Sequence, residues 1–296
     1  MNEPAKDGLD RKPESAYPAM GVGMAWDIKR GGGEHDVRAP AARDALWRQL
    51  ARTHVAWWAP ECRSFSRARG RPIPGATSWP GALRSEEFPY GLPNLKGPKR
   101  NKDREKVLAG NEIAEITAQG CREALATHSG FAIENPARSF FWQVGSVREL
   151  ADMDGVSWIV FSNCLFEGGV RNKQTGILTN VPEIVDALKD RICKGSKVCD
   201  RTHLKHETWT PKVLDGEVQH YQTAEEAEYP EGLCIALAVA VTKAAARMGT
   251  ESARDMNHDA TWEVRDFRRL AFTEVFSGPR APLTQAVISR LAGPQG

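Results

Sequence analysis

Two short segments hold residue types able to do covalent chemistry. The first is Ala59-Pro60-Glu61-Cys62-Arg63-Ser64-Phe65-Ser66. A cysteine placed directly after a buried strand is held rigidly and can point into a cleft, and Arg63, Arg67 and Arg69 close by in sequence favour its thiolate. The second is Phe131-Ala132-Ile133-Glu134-Asn135-Pro136, a carboxylate at another strand end. A carboxyl half buried there has a raised pKa and can give and take protons. A nucleophilic thiol with an acidic partner is a complete kit for covalent attack on an electron-poor ring. A third cluster, Cys193-x5-Cys199-x3-His203-x2-His206, places four zinc-type ligands within a polar stretch that has no apolar run of its own. Such a segment needs a staple, and tetrahedral Cys2His2 zinc is one. Each signal has a plainer reading: a core thiol, an ordinary strand exit and a loop with chance Cys and His.

The elements that must position these residues alternate. Thr53–Trp58 reads as a strand that stops at Ala59-Pro60. Lys102–Thr127 is an amphipathic helix, and Gly130–Ile133, Trp158–Phe161 and Gly176–Thr179 are further strands. Ahead of them, Val22–Ile28 reads as a strand running into a Gly-rich turn, and Ala41–Ala51 as a helix opened by Pro40. Residues 60–102 are rich in Arg, Pro and Gly and lack periodicity, the mark of a functional or disordered loop. Tyr229–Arg247 is a strongly apolar helix, and the last fifty residues read as a loose helical extension. Strand–helix alternation of this kind predicts an α/β domain with a mostly parallel sheet and flanking helices, its chemistry on loops at the carboxyl ends of the strands.

Composition bounds the class. The 296 residues carry 26% charged and 41% hydrophobic side chains, which excludes collagen-like, coiled-coil and wholly disordered chains. No run of 18 apolar residues predicts a membrane span, and the polar start is no secretory signal. Six cysteines without an export signal read as reduced thiols, ligands or core residues, and the expected location is intracellular, nuclear or cytoplasmic. A net charge of +2 means that any nucleic-acid surface must be local. A monomer is the default expectation.

At the level of motifs, the chain resembles the DNA cytosine-5 methyltransferase family. Pro60-Glu61-Cys62 is similar to its strand-end Pro-Cys loop, and Glu134-Asn135-Pro136 to its Glu-Asn-Val motif. Arg171-Asn172-Lys173 is similar to its Gln-x-Arg-x-Arg strand. Tyr229-Pro230-Glu231-Gly232-Leu233-Cys234 is similar to the C-terminal motif that closes the cofactor side. The resemblance covers roughly residues 20–245. It implies a Rossmann-like S-adenosylmethionine-dependent methyltransferase fold, with Cys62 attacking carbon 6 of a flipped cytosine and Glu134 bonding ring nitrogen 3 and the exocyclic amine. It further implies Pro60, Asp27 and Asp36 on the cofactor, DNA as partner, and Arg171 and Lys173 on the base or nearby phosphates, with the loop arginines Arg67, Arg69 and Arg71 suited to phosphates.

Three departures stand out, one being that Asp27 and Asp36 lie closer together in sequence than the family's acidic pair. The family's Phe-x-Gly-x-Gly cofactor loop has no counterpart ahead of Asp27, and Glu61 stands where a proline precedes the nucleophile. The expected organisation is a disordered segment 1–18, a catalytic-type domain 19–180, a recognition insert 181–222 that could be the zinc knot, and 223–296 completing the domain and ending in a polar tail. The rival function is a nucleic-acid-binding protein of methyltransferase fold that has lost catalysis. A third is a thiol enzyme acting on small substrates.

Overall fold

A computed structural model of the chain describes residues 21–22, 25–209, 212–220, 229–258, 270–275, 283 and 286–287. The segment 1–18, expected to be disordered, lies outside the described residues. Among the described residues the named elements follow in the order β1 (Gly21–Val22), α1 (Ile28–Gly31), α2 (Pro40–Leu50), β2 (Thr53–Trp58), α3 (Asn101–Ala126), β3 (Gly130–Pro136), α4 (Gly145–Ala151), β4 (Ser157–Ser162), β5 (Gln174–Thr179), α5 (Pro182–Leu188), β6 (Lys212–Leu214), β7 (Glu217–His220), α6 (Glu231–His258) and β8 (Leu270–Val275).

The main sheet has the order β1-β8-β2-β3-β5-β4. β1, β8, β2 and β3 are mutually parallel, whereas β5 runs antiparallel to both of its neighbours. The fold is therefore α/β with flanking helices, as expected, but the sheet is mixed. β6 and β7 form a separate hairpin.

Period-two alternation explains why the sheet is covered on both faces. Along β2, Val55 and Trp57 point into one core with Ala132, Phe161, Ile177 and the α6 residues Leu233, Leu237 and Val241. Ala56 and Trp58 point into the other with Leu46 of α2, Ile116 and Cys121 of α3, Phe131, Ile133 and Leu150. The apolar stretch of α6 is long enough to cross a membrane by composition alone, yet over half of it is buried. Its mean hydropathy is thus explained by burial against the sheet.

Three expectations are corrected. Val22–Ile28 is not one strand among the described residues: β1 is Gly21–Val22, Trp26 makes an isolated bridge to Val275, and the Asp27 side chain accepts from Lys29 N to start α1. Part of the last fifty residues is no loose helical extension: Leu270–Val275 is a strand between β1 and β2. Its Phe272, Thr273, Glu274 and Val275 are wholly buried. The loop 60–102 is almost free of regular structure but is anchored. Arg84, 1% exposed, donates to the carbonyls of Ser64, Pro89 and Val107 and to the side chains of Ser64 and Asn111. Its guanidinium also lies 3.8 Å from the Phe65 ring centre. One buried cation thus satisfies backbone groups that a periodic element would otherwise pair.

Candidate active site and metal centre

The register of the sheet sets the site. Trp58 of β2 is paired on one side with Val275 of β8 and on the other with Ile133 of β3. The three parallel strands are therefore in register at this edge: β2 stops here, whereas β3 runs on through Glu134-Asn135-Pro136, paired with β5. From β2 the chain enters Ala59-Pro60-Glu61-Cys62, and from Ile133 it enters Glu134-Asn135-Pro136. After Val275 the sequence reads Phe276-Ser277-Gly278, which lies outside the described residues. Asn135 Nδ2 donates to the Pro60 carbonyl at 2.8 Å, and Ala59 N donates to Val275 O at 2.9 Å, so the exits are tied together.

Glu134 is buried, and burial raises its carboxyl above the ordinary value; Lys173 and a hydrogen bond from Tyr229 pull it back. The Tyr229 hydroxyl donates to Glu134 Oε2 at 3.3 Å and accepts from Trp57 Nε1 at 3.1 Å. Cys62 is half-buried, and its thiol is likewise raised by burial, with Glu134 and Glu61 adding to the rise and Lys173 opposing it. The cation that favours the thiolate is therefore Lys173, not the arginines adjacent in sequence. Arg63 pairs with Glu61 at 2.6 Å, which draws that carboxylate into an exposed ion pair. Lys173 immediately precedes Gln174, whose carbonyl accepts from Ala137 N just past the end of β3.

The remaining sequence-derived residues divide. Arg67 donates to the Arg138 carbonyl, pairs with Glu86 and lies 4.3 Å from the Phe140 ring centre. Arg69 pairs with Asp103 at 3.0 Å. Both hold the loop together, whereas Arg71 is exposed. Arg171 is buried and pairs with Glu207. Asp27 stands at the carboxyl edge of the sheet, where Trp26 bridges to Val275. Asp36 accepts two hydrogen bonds from the Arg38 guanidinium, which holds its carboxyl below the usual range, so it is committed within its own turn.

The second centre is a knot of sulfur. Cys164, Cys193, Cys199 and His206 bring one ligand atom each to within 4.8 Å of one another. Cys193 Sγ is 3.6 Å from His206 Nε2 and accepts from Asp200 N at 3.5 Å. The expected fourth ligand, His203, is replaced by Cys164. His203 is exposed at a turn with φ of 56°, closed by its N–H to the Cys199 carbonyl, and this turn directs it away from the cluster. Cys164 comes from the short 3-10 turn after β4. Burial and the neighbouring thiols push Cys164 upward. Burial acts the same way on Cys199, but backbone hydrogen bonds at Thr202 and Arg201 outweigh it and bring that thiol down to about 6. Three thiols this close can ionise together only beside a cation, and a Cys3His set is a tetrahedral zinc-type donor set.

Sequence reasoning missed Cys164, Lys173's proximity to the thiol and the strand β8. Cys164 was findable as a second strand-end cysteine, after Trp158–Phe161. Searched against family models, curated proteins and solved structures, the chain matches none of them.

Proposed function

We propose that this chain is an S-adenosylmethionine-dependent DNA cytosine-5 methyltransferase in which the strand leading to the cofactor loop follows, in sequence, the strands that carry Cys62 and Glu134. One observation carries the reading: Val275, Trp58 and Ile133 are level in three adjacent parallel strands, and in the sequence they are followed by a Phe-x-Gly segment, a Pro-x-Cys segment and a Glu-Asn segment. The glycine loop missing ahead of Asp27 then has a counterpart in Phe276-Ser277-Gly278, with Arg280 where the family's second glycine stands. The sheet order supports this, because the chain passes from β1 to β2 across β8, making the carboxyl end of β8 the switch point where ligands of α/β sheets bind.

The residues present fit the cofactor in part. Asp27 stands beside Val275, where an acid can accept ribose hydroxyls, while Asp36 is held by Arg38 and is not assigned to it. When bound, S-adenosylmethionine supplies an electrophilic methyl group. The Cys62 sulfur bonds to carbon 6 of a flipped cytosine, which makes carbon 5 nucleophilic. Glu134 holds the base through its raised carboxyl: Oε2 is engaged by Tyr229, so Oε1 is the atom that hydrogen-bonds ring nitrogen 3 and steadies the charge that builds there. Lys173 favours the thiolate before attack. After methylation carbon 5 gives up its proton to solvent water, the electron pair of that bond forms the 5,6 double bond, the carbon–sulfur bond breaks and the Cys62 thiolate returns.

The test is DNA containing 5-fluorocytosine, which cannot lose a proton at carbon 5. With S-adenosylmethionine present, the protein should form a covalent adduct at Cys62, and Cys62→Ser should form none. An adduct that survives in the serine variant sinks the assignment. Arg280 in place of a glycine favours the rival, a nucleic-acid-binding protein without catalysis. That reading requires calorimetry to find no binding of S-adenosylmethionine.

Zinc is the metal assigned to Cys164, Cys193, Cys199 and His206. Soft thiolates with one imidazole suit it, and the set leaves no ligand position for a substrate, as in a structural site.

A further inference from the structure

Four consecutive residues, Val170 to Lys173, are each bonded to a residue that is, or lies within two positions of, a neighbour of a metal ligand. The Val170 carbonyl accepts from Glu207 N at 3.0 Å, next to His206. Arg171 pairs with the Glu207 carboxylate at 3.0 Å. Asn172 Nδ2 donates to the Gly195 carbonyl at 3.0 Å, two residues past Cys193. The Lys173 carbonyl accepts from Asn163 N at 2.9 Å, next to Cys164. Asn163 Oδ1 in turn accepts from Thr175 Oγ1 at 3.0 Å, and Thr175 is paired with Pro136 at the end of β3.

We propose that metal binding at Cys164, Cys193, Cys199 and His206 clamps the segment Val170–Lys173 and thereby sets the position of Lys173 beside the nucleophile Cys62 and the acid Glu134. This rests on the metal assignment above. The physical case is that the clamp has almost no core of its own: its buried apolar cluster is the three cysteines with Leu165 against them. Order in such a segment is supplied by the ion, and metal binding energy is folding energy there. The backbone leaves the clamp directly into β5, so a change at the metal reaches Lys173 without passing through the two main cores. The charged groups acting on Cys62 are Lys173, Glu134 and Glu61, and only Lys173 is attached to the clamp. The metal is in this reading a positioning device for the thiol–carboxyl site, which explains why a zinc knot should sit at the start of β5.

Alkylation of Cys62 by iodoacetamide, read by peptide mass spectrometry across pH, tests this without any methyl transfer. Zinc-loaded and chelator-stripped protein are compared, with zinc content measured by elemental analysis in each. Stripping should move the Cys62 profile up by roughly one pH unit, about a tenfold loss of reactivity below the midpoint. Lys173→Met should show the same displacement while loaded and gain none on stripping. Because stripped protein could unfold, the loaded double variant Asn172→Ala/Glu207→Gln provides a second arm: it should retain about one zinc and still slow Cys62. Identical Cys62 profiles in folded loaded and stripped protein overturn the clamp, as does a double variant that reacts like wild type. Protein that takes up no zinc overturns the metal assignment itself, an outcome that elemental analysis separates from the others.

Discussion

The hydroxyl of Tyr229 is 3.3 Å from Oε2 of Glu134, and the indole N–H of Trp57 donates to that same hydroxyl. Since the phenol oxygen already accepts from Trp57, its own hydrogen is directed at the carboxylate. One oxygen of Glu134 is thereby fixed by the protein and the other is left for the base. Tyr229→Phe keeps the ring and removes the donor. The methylation rate should fall by roughly ten- to a hundredfold, the scale of one hydrogen bond to a charged group. The pH at which Glu134 titrates should rise, because this bond holds it down. A rate unchanged by Tyr229→Phe places the tyrosine outside the machinery.

Glu134 also links stability to pH. Its carboxyl is raised in the folded state, chiefly by burial, so the native protein holds a proton that the unfolded chain releases earlier. This group's contribution to stability is complete below the unfolded carboxylate value. It falls as pH rises through the folded value and is flat above it. Glu134→Gln removes that fall. The Tm difference between the variant and wild type should therefore shift in favour of the variant as pH rises from the ordinary carboxylate range, by an amount worth about 1.4 kcal/mol for each unit of upward shift. A constant difference across that rise would show that the carboxyl is not strained by its burial.

The metal centre gives a discriminating pair. Cys164→Ser should abolish stoichiometric zinc, because it removes one of four convergent ligands, and His203→Ala should leave zinc at about one equivalent. Lowering the pH should release the metal as the thiols and imidazole take up protons. Zinc retained by Cys164→Ser and lost from His203→Ala would return the site to the local Cys2His2 arrangement.

The loop 60–102 separates structural from binding cations. Arg71→Ala should weaken DNA binding and flatten its salt dependence, with Tm unchanged. Arg67→Ala and Arg69→Ala should each cost stability by up to about 1 kcal/mol, as exposed or partly exposed ion pairs do. Arg84→Met should cost more, roughly 3 kcal/mol, since it leaves the carbonyls of Ser64, Pro89 and Val107 without their donor. Its guanidinium, lowered to about 10 by burial alone, has no carboxylate partner among the described residues. Thermal melts and salt-titrated binding on the four variants check the division.

Much of the site was legible because strand ends are written locally. Thr53–Trp58 is a run rich in β-branched and aromatic residues and is followed by Pro60, so Cys62 could be placed at an exit, and Gly130–Ile133 placed Glu134 toward the carboxyl end of β3. The rest depended on contacts distant in sequence. Nothing near Leu270–Val275 announces a central strand, because six residues carry no period that separates a strand from one face of a helix, and its partners lie over two hundred positions away. Cys164 joined Cys193, Cys199 and His206 only because the turn after β4 folds back on them. The arginines beside Cys62 were credited with activating it, but sequence adjacency does not reveal that Glu61, Asp103 and Glu86 occupy them.

β8 is the last of the six sheet strands to be synthesised, yet it lies between the first two. On the ribosome, β2 and β3 can pair as soon as both have emerged, but β2 must wait with its other edge open until Leu270–Val275 arrives. During that interval Thr53–Trp58 offers unpaired backbone groups and two tryptophans to any passing strand, the circumstance in which nascent sheets go astray. Stalled or prematurely ended chains of this protein are accordingly expected to be captured by chaperones or to aggregate through β2, and a peptide of sequence Leu270–Val275 supplied in trans has a natural groove waiting for it.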